Sequence, residues 1–322
     1  MRQVHRESDT PSHAQSGICT FGYLPFCDDL DNINADVAIL GIPYENTMGP
    51  SGARLGPRGL REISYSNSYE LKEGSFSPDD DGEIYLGPRW KIVDCGDVPV
   101  VGCDVEPTFT RIRDTVRRIA ANDVILVSIG GDHAITTPVL EGLSDRAPFG
   151  IIHIDAHMDW ADYPGRPYCH SKPMRRASEM EHVTAMAQIG VRAFHFTSKK
   201  SYQDAIDYGS RVFTPRKLRA LGVEGVLKEI PKCDRYYVSI DIDGMDPSIA
   251  PGTGSPDPGG LLYDETRDLL QGIASLGEVI AFDLVEVAPP LDLPVKPTCM
   301  LACRLICDLL GFVLKEKEHS TA

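Results

Sequence analysis

A chain of 322 residues, 42% hydrophobic and 25% charged, has an ordinary globular composition and enough length to bury a large core in one or two domains. Its formal net charge of −15 repels phosphate backbones, which argues against nucleic acid as a partner and suits small cations. No apolar run reads as reaching the roughly 18 residues that cross a bilayer. The polar N-terminus MRQVHRESDTPSHAQSG lacks the apolar stretch of a secretory signal, so a cytoplasmic protein without membrane contact is expected. Nine cysteines, an odd number without framework spacing, fit a reducing compartment. Cys299, Cys303 and Cys307 fall four apart and read as one small apolar helix stripe, not as a metal site.

In chain order, strand-type and helix-type runs alternate. ADVAILGIPY (35–44) predicts a strand and GPRGLREIS a short helix. WKIVDCGDV (90–98) is a second strand, followed by the amphipathic helix TFTRIRDTVRRIAAN (108–122). VILVSIGG (124–131) predicts a third strand, then the helix AITTPVLEGL. FGIIHIDAH (149–157) and TAMAQIGVR (184–192) predict a fourth and a fifth, the latter followed by the helical SKKSYQDAIDYG. RVFTP leads into PRKLRALGVEGVLKEI. YYVSIDID (236–243) is a strand, ETRDLLQGIASL a helix, EVIAFDLVEV (278–287) the last strand and TCMLACRLICDLLGFVLKE the last helix.

Several of these strands are near-continuous in apolar residues, the mark of strands buried on both faces. Together with the alternation, this predicts an α/β fold whose mostly parallel sheet is covered by helices. Residues 1–34 read as an irregular arm and 35–322 as one domain. Polar loops are expected at 75–88 and at 159–173, the second directly after a strand. In open α/β sheets, sites lie beyond the carboxyl ends of the strands.

Three strands end in polar clusters at that edge. One gives SIGGDH, ending in His133. The next gives HIDAHMD, where Asp155, His157 and Asp159 alternate at period two and so project the same way. The third gives SIDID, with Asp241 and Asp243 at the same spacing. Same-facing carboxylates at the end of a buried strand repel each other and lose hydration, and a divalent cation is the simplest compensation. Six such ligands suit two cations better than one. Asp132 reads as a cap and His153 as a hydrogen-bonded core histidine. Four carboxylates and two imidazoles without a thiolate suit Mn²⁺ and also admit Ni²⁺ or Zn²⁺. Two such ions about 3.5–4 Å apart can share a water and lower its pKa towards neutrality. The residues alone therefore indicate a two-metal hydrolase and leave a phosphate ester, an amide or a guanidinium open as the electrophile.

The motifs GGDHA (130–134), DAHMD (155–159) and SIDIDGMDPSIAPGTGSPDPGG (239–260) resemble those of the ureohydrolases, the arginases and agmatinases. GARLGPRGLR (52–61), LVEVAPPLD (284–292) and the arm CTFGYLPFCDD (19–29) are similar as well, and fit the agmatinase-like branch. The resemblance spans nearly the whole chain. It implies a three-layer α/β/α fold, trimers or hexamers, and hydrolysis of a guanidino compound to urea and an amine at a dimanganese centre, with nickel in some members. It implies that His133, Asp155, His157, Asp159, Asp241 and Asp243 hold the metals and that Asp159 also orients the attacking hydroxide. His170, in YCHSKPMRRA, aligns with a proton-shuttling histidine. Glu286 aligns with the carboxylate that grips the substrate guanidinium.

Some residues depart from that pattern. Ala134 stands where Ser is usual. His170 is followed by Ser171, Lys172 and Pro173 instead of Gly, and Lys172 could meet the substrate tail. Trp160 could narrow the pocket or stack on a planar cation. Ala161 stands where arginases carry an Asn for the amino-acid carboxylate. These changes favour a compact or unusual guanidino substrate over arginine or ordinary agmatine, and leave guanidinobutyrate, guanidinopropionate, free guanidine and a substituted biguanide open. Two other readings are weighed: a non-catalytic or partner-dependent subunit of a heteromeric ureohydrolase, motivated by the altered loop after His170, and a one-zinc amidohydrolase of the same fold.

Overall fold

The computed structural model describes residues 18–46, 52–74, 86–101, 104–146, 148–162, 168–193 and 197–321. The start of the expected arm, most of the 75–88 loop and residues 163–167 of the loop after the fourth strand lie outside them.

Eight strands form one sheet: β1 (Val37–Ile42), β2 (Ile92–Asp97), β3 (Ile125–Gly130), β4 (Phe149–Ile154), β5 (Val183–Ile189), β6 (Arg211–Phe213), β7 (Arg235–Asp241) and β8 (Glu278–Val285). Their order is β2-β1-β3-β8-β7-β4-β5-β6, and every pairing is parallel. β1, β3 and β4 are buried along their full length, as their apolar runs predict for a doubly covered sheet.

The helices are α1 (Gly56–Ile63), α2 (Ser68–Glu73), α3 (Val105–Ala120), α4 (Thr136–Gly142), α5 (Pro173–Ser178), α6 (Lys199–Tyr208), α7 (Pro215–Glu229), α8 (Tyr263–Ala274) and α9 (Pro297–Thr321). One core packs α1, α7, α8 and α9 against the sheet through residues such as Leu60, Leu218, Leu269 and Leu305. The other packs α3, α4, α5 and α6 through Phe109, Val139, Met174 and Ala205. The result is the three-layer α/β/α architecture.

Local chemistry sets several boundaries. Ser198 caps α6 by accepting from the Ser201 N–H, and Gly209, at φ 101°, closes the helix. Thr214 caps α7 with Pro215 behind it. The sequence reads α7 as continuous, but Gly222 adopts φ 71° and breaks it. Arg61, buried on α1, donates to both Asp94 oxygens at 2.8 and 2.9 Å and to Asp97 at 2.5 Å. It thereby ties α1 to β2 by a fork-shaped, charge-assisted contact. The described part of the arm joins the same corner, where the Phe21 N–H donates to Asp94 at 2.7 Å.

The bilayer-length expectation is corrected by α9. Pro297–His319 is 23 residues long with a mean hydropathy of 1.7, long and apolar enough by length and composition to cross a membrane. In the fold, 78% of its apolar window is buried, packed against α1, α8 and β8. Arg304 and Asp308 interrupt the run in the sequence. They pair with each other at 3.0 Å, and Asp308 also accepts from Tyr263 at 2.8 Å.

Candidate metal centre and active site

The adjacent strands β3, β8, β7 and β4 lie at the middle of the sheet, and the loops at their carboxyl ends carry the predicted residues. After β3, the chain turns at Gly131, where a Cβ would lie 1.8 Å from the Tyr44 carbonyl oxygen, so no side chain fits. Asp132 then caps the following turn by accepting from the Ala134 N–H at 3.0 Å and holds the Asn46 N–H at 2.7 Å. That turn aims His133 across the sheet. After β4 the backbone takes up a left-handed conformation at Asp159 (φ 52°), and after β8 it does so at Glu286 (φ 62°). Non-glycine residues held this way cost of order 1–3 kcal/mol each and cluster at working sites.

The structure brings all six predicted ligands together. His133 Nδ1 lies 2.9 Å from Asp159 Oδ2 and 3.2 Å from both Asp155 Oδ2 and Asp241 Oδ2. His157 Nδ1 lies 3.1 Å from Asp243 Oδ2 and 3.2 Å from Asp155 Oδ1. These are two nests of donors, and Asp155 gives one oxygen to each. His153 is close enough to join the first nest, but it already bonds Asp155 Oδ2 at 2.8 Å and Gln188 at 3.1 Å, one through each ring nitrogen. Neither nitrogen is left for an ion, in keeping with the core histidine expected from the sequence.

The electrostatics match this donor set. Burial, and after it the charges of Asp243 and Asp155, push the Asp241 carboxyl well above the usual carboxylate range. Burial and Asp155 raise Asp243 in the same direction. Burial works against Asp155 too, yet His153, His133 and His157 around it hold it well below that range. Several buried carboxylates facing one another in this way fit divalent cations, which would reverse the repulsion. The six side chains therefore fit a binuclear site, with oxygen and imidazole donors and one shared carboxylate.

A cavity of about 80 Å³ opens on this cluster. His157, Asp159, Asp241, Asp243, His170, Glu286 and Trp160 all line it. The His133 N–H donates to Glu286 Oε1 at 2.9 Å, which orients that carboxylate. Burial, then Asp132, pushes its pKa well above the ordinary value. Trp160 is both cavity wall and anchor: it is 3% exposed and its ring packs on Tyr208 at 5.7 Å. Lys172 is not among the lining residues. It is buried at the start of α5, where its N–H donates to the Cys169 carbonyl at 3.1 Å. Cys299, Cys303 and Cys307 are buried in the helical core and belong to neither group of metal-holding side chains.

Sequence reasoning missed four contributors. Met158, Thr197, Ser201 and Ser255 also line the cavity, and no periodicity marks them. It also missed Arg192, whose guanidinium donates to the carbonyls of Asp243 at 2.8 Å, Gly244 at 3.2 Å and Asp257 at 3.0 Å. That one side chain fastens the loop after β7 to the 251–260 loop. Its only signal is a lone Arg just past a buried strand.

The profile of the Arginase family matches residues 35–311. This chain is a member of the arginase family. A guanidinopropionase from Pseudomonas aeruginosa is 32% identical, with 95% of this chain and 94% of the relative covered. A mitochondrial guanidino acid hydrolase from Homo sapiens is 30% identical, covering 96% and 89%. Among solved structures, the proclavaminate amidino hydrolase from Streptomyces clavuligerus superimposes with a TM-score of 0.81 at 31% identity, covering 94% of this chain and 99% of that one. Within the arginase family the chain groups with the agmatinase-like branch. It is a metal-dependent amidinohydrolase acting on guanidino C–N bonds.

Proposed function

We propose that this protein hydrolyses a compact guanidino compound to urea and an amine at a binuclear centre held by His133, Asp155, His157, Asp159, Asp241 and Asp243. One observation carries the reading: two donor nests sharing Asp155 face Glu286 and His170 across a single small cavity. Relatives named guanidinopropionase, guanidinobutyrase and guanidino acid hydrolase support the guanidino class. The Trp160 wall, the small volume and Ala161 support a short substrate. Thr197, Ser201 and Ser255, which also line the cavity, carry hydroxyls that suit a polar tail.

When bound, Mn²⁺ or Ni²⁺ ions would supply an acidified water and positive charge for the developing tetrahedral species. The chain's own groups do the rest. Glu286, held by the His133 N–H, leaves Oε2 to accept from the substrate's guanidinium N–H groups. This fixes the planar carbon against the centre. Asp159 orients the attacking oxygen. As the C–N bond breaks, His170 gives a proton to the leaving nitrogen, a transfer suited to an imidazole near neutrality. A homotrimer or homohexamer is part of this reading, measurable by mass photometry.

The test is urea release across agmatine, guanidinobutyrate, guanidinopropionate, guanidine and biguanides, with Mn²⁺ and Ni²⁺ loaded in parallel. A short guanidino compound turning over best supports the proposal. Silence across the panel with two metals bound refutes it.

A further inference from the structure

A second polar tier lies one pleat below the ligands. The strand register pairs Ser128 of β3 with Asp283 of β8, Asp283 with Ser239 of β7, Ser239 with His153 of β4, and His153 with Gln188 of β5. Five adjacent strands thus place a polar residue at the same level, and all five residues are fully buried. Two residues further on, β4 and β7 reach Asp155 and Asp241, on the same face because side chains alternate. A polar row through an apolar sheet is costly unless its groups are satisfied; the Ser128 hydroxyl has no hydrogen-bond partner among the described residues, while the bonds of the other four run upward to the ligands in two branches.

In the first branch, Asp283 accepts from Thr136 and Tyr237 hydroxyls, each at 2.6 Å, and from Ser239 Oγ at 2.7 Å. Ser239 has one proton and spends it on Asp283. Its oxygen can therefore only accept from His133 Nε2, 3.0 Å away. That assigns the proton to Nε2 and turns the Nδ1 lone pair of His133 towards Asp155, Asp159 and Asp241. In the second branch, Gln188 Nε2 donates to the Met158 carbonyl at 2.7 Å, and its Oε1 accepts from Ser210 at 3.2 Å. The carbonyl fixes which end of the amide is nitrogen, so the second N–H of Gln188 donates to His153 Nδ1 at 3.1 Å. The His153 proton then sits on Nε2 and is donated to Asp155 Oδ2 at 2.8 Å. Gln188 also grips the residue before the left-handed Asp159.

We propose that Asp283 and Ser239 in one branch, and Gln188 and His153 in the other, are positioning residues for the metal centre, the first branch setting the affinity of one metal position and the second that of both. The first branch acts on the position that His133 completes. The second acts through Asp155, which both positions share. Outer partners of this kind change metal affinity about 10- to 100-fold when removed. The inference rests on the binuclear centre proposed above.

The experiment is titration of chelator-stripped full-length protein with Mn²⁺ alone, followed by calorimetry, with thermal unfolding recorded at saturating Mn²⁺. The unaltered protein is expected to bind in two steps. Ser239→Ala should weaken one step about 10- to 100-fold and leave the other within about threefold, while Ser239→Thr, which keeps the hydroxyl, restores the first. His153→Phe should weaken both steps. Two unaltered steps in Ser239→Ala and His153→Phe would overturn the tier while leaving the centre standing. Equal weakening of both steps in Ser239→Ala, matched by a lower melting temperature that Ser239→Thr does not rescue, would reduce the row to a folding role and overturn it as well. Saturation at one Mn²⁺ per chain in the unaltered protein would overturn the binuclear centre itself.

Discussion

The two ends of the same strands could hardly differ more. At the carboxyl edge, β4, β7 and β8 run into buried carboxylates, left-handed residues and a cavity of about 80 Å³. At the amino edge, beside Arg235 and Tyr236 at the start of β7, lies a far larger hollow of about 1100 Å³, lined by Leu227, Lys228, Lys232, Cys233, Arg235 and Leu276 among others. The larger space carries less chemistry. Its charges are solvated, as in the Arg235–Glu278 pair, whose side chains are 43% and 55% exposed. Among the described residues, every group able to hold a metal is at the other end. Convergence of buried donors, not volume, marks a site.

Substitutions at the two edges put this contrast to the test. Asp155→Ala should have the largest effect, because it removes the carboxylate common to both nests. Turnover should fall below detection and metal analysis should find at least one position empty, with the far-ultraviolet spectrum retained. Wild-type turnover in this variant would refute the ligand assignment. Glu286→Gln should lower kcat/KM by about 100- to 1,000-fold, the scale for a charge-directed contact in a dry site, without changing metal content. If bound metal falls in step with activity, Glu286 supports the centre and not the substrate.

His170→Ala comes next. General acid catalysis contributes about 100-fold or more, so kcat should drop on that scale and the limb of the pH–rate profile set by the imidazole should disappear. A rise in KM with kcat intact would make His170 a binding group. The smallest effect belongs to the other edge. Arg235→Ala removes an exposed ion pair worth under about 1 kcal/mol, and steady-state kinetics should not move. A large loss of activity there would erase the contrast between the two ends.

The sequence shows the outer tier of the site and hides the inner one. Asp155, His157 and Asp159 announce themselves by period-two spacing at a strand end, and the long strands and helices by their apolar runs. Ser239, Asp283 and Gln188 sit mid-strand as single polar residues, and only the register between strands, which no single sequence carries, reveals them as one row. Short elements were equally hard to see: α2 and α5 have six residues each, too few for a helical period to emerge. In α9, Arg304 and Asp308 masked an apolar run because their mutual pairing is a tertiary fact. Arg192 was invisible for the same reason, since its partners are carbonyls from two distant loops.

The left-handed backbone at Asp159 and Glu286 has a consequence for how this enzyme can diversify. At these two positions a replacement must supply the chemistry and also tolerate a conformation that β-branched side chains resist, so few mutational routes lead out of them. Thr197, Ser201 and Ser255 carry no such double constraint, and all have positive-φ-free backbones among the described residues. New substrate tails are therefore to be sought by randomising those three lining positions, with the reactive centre inherited unchanged.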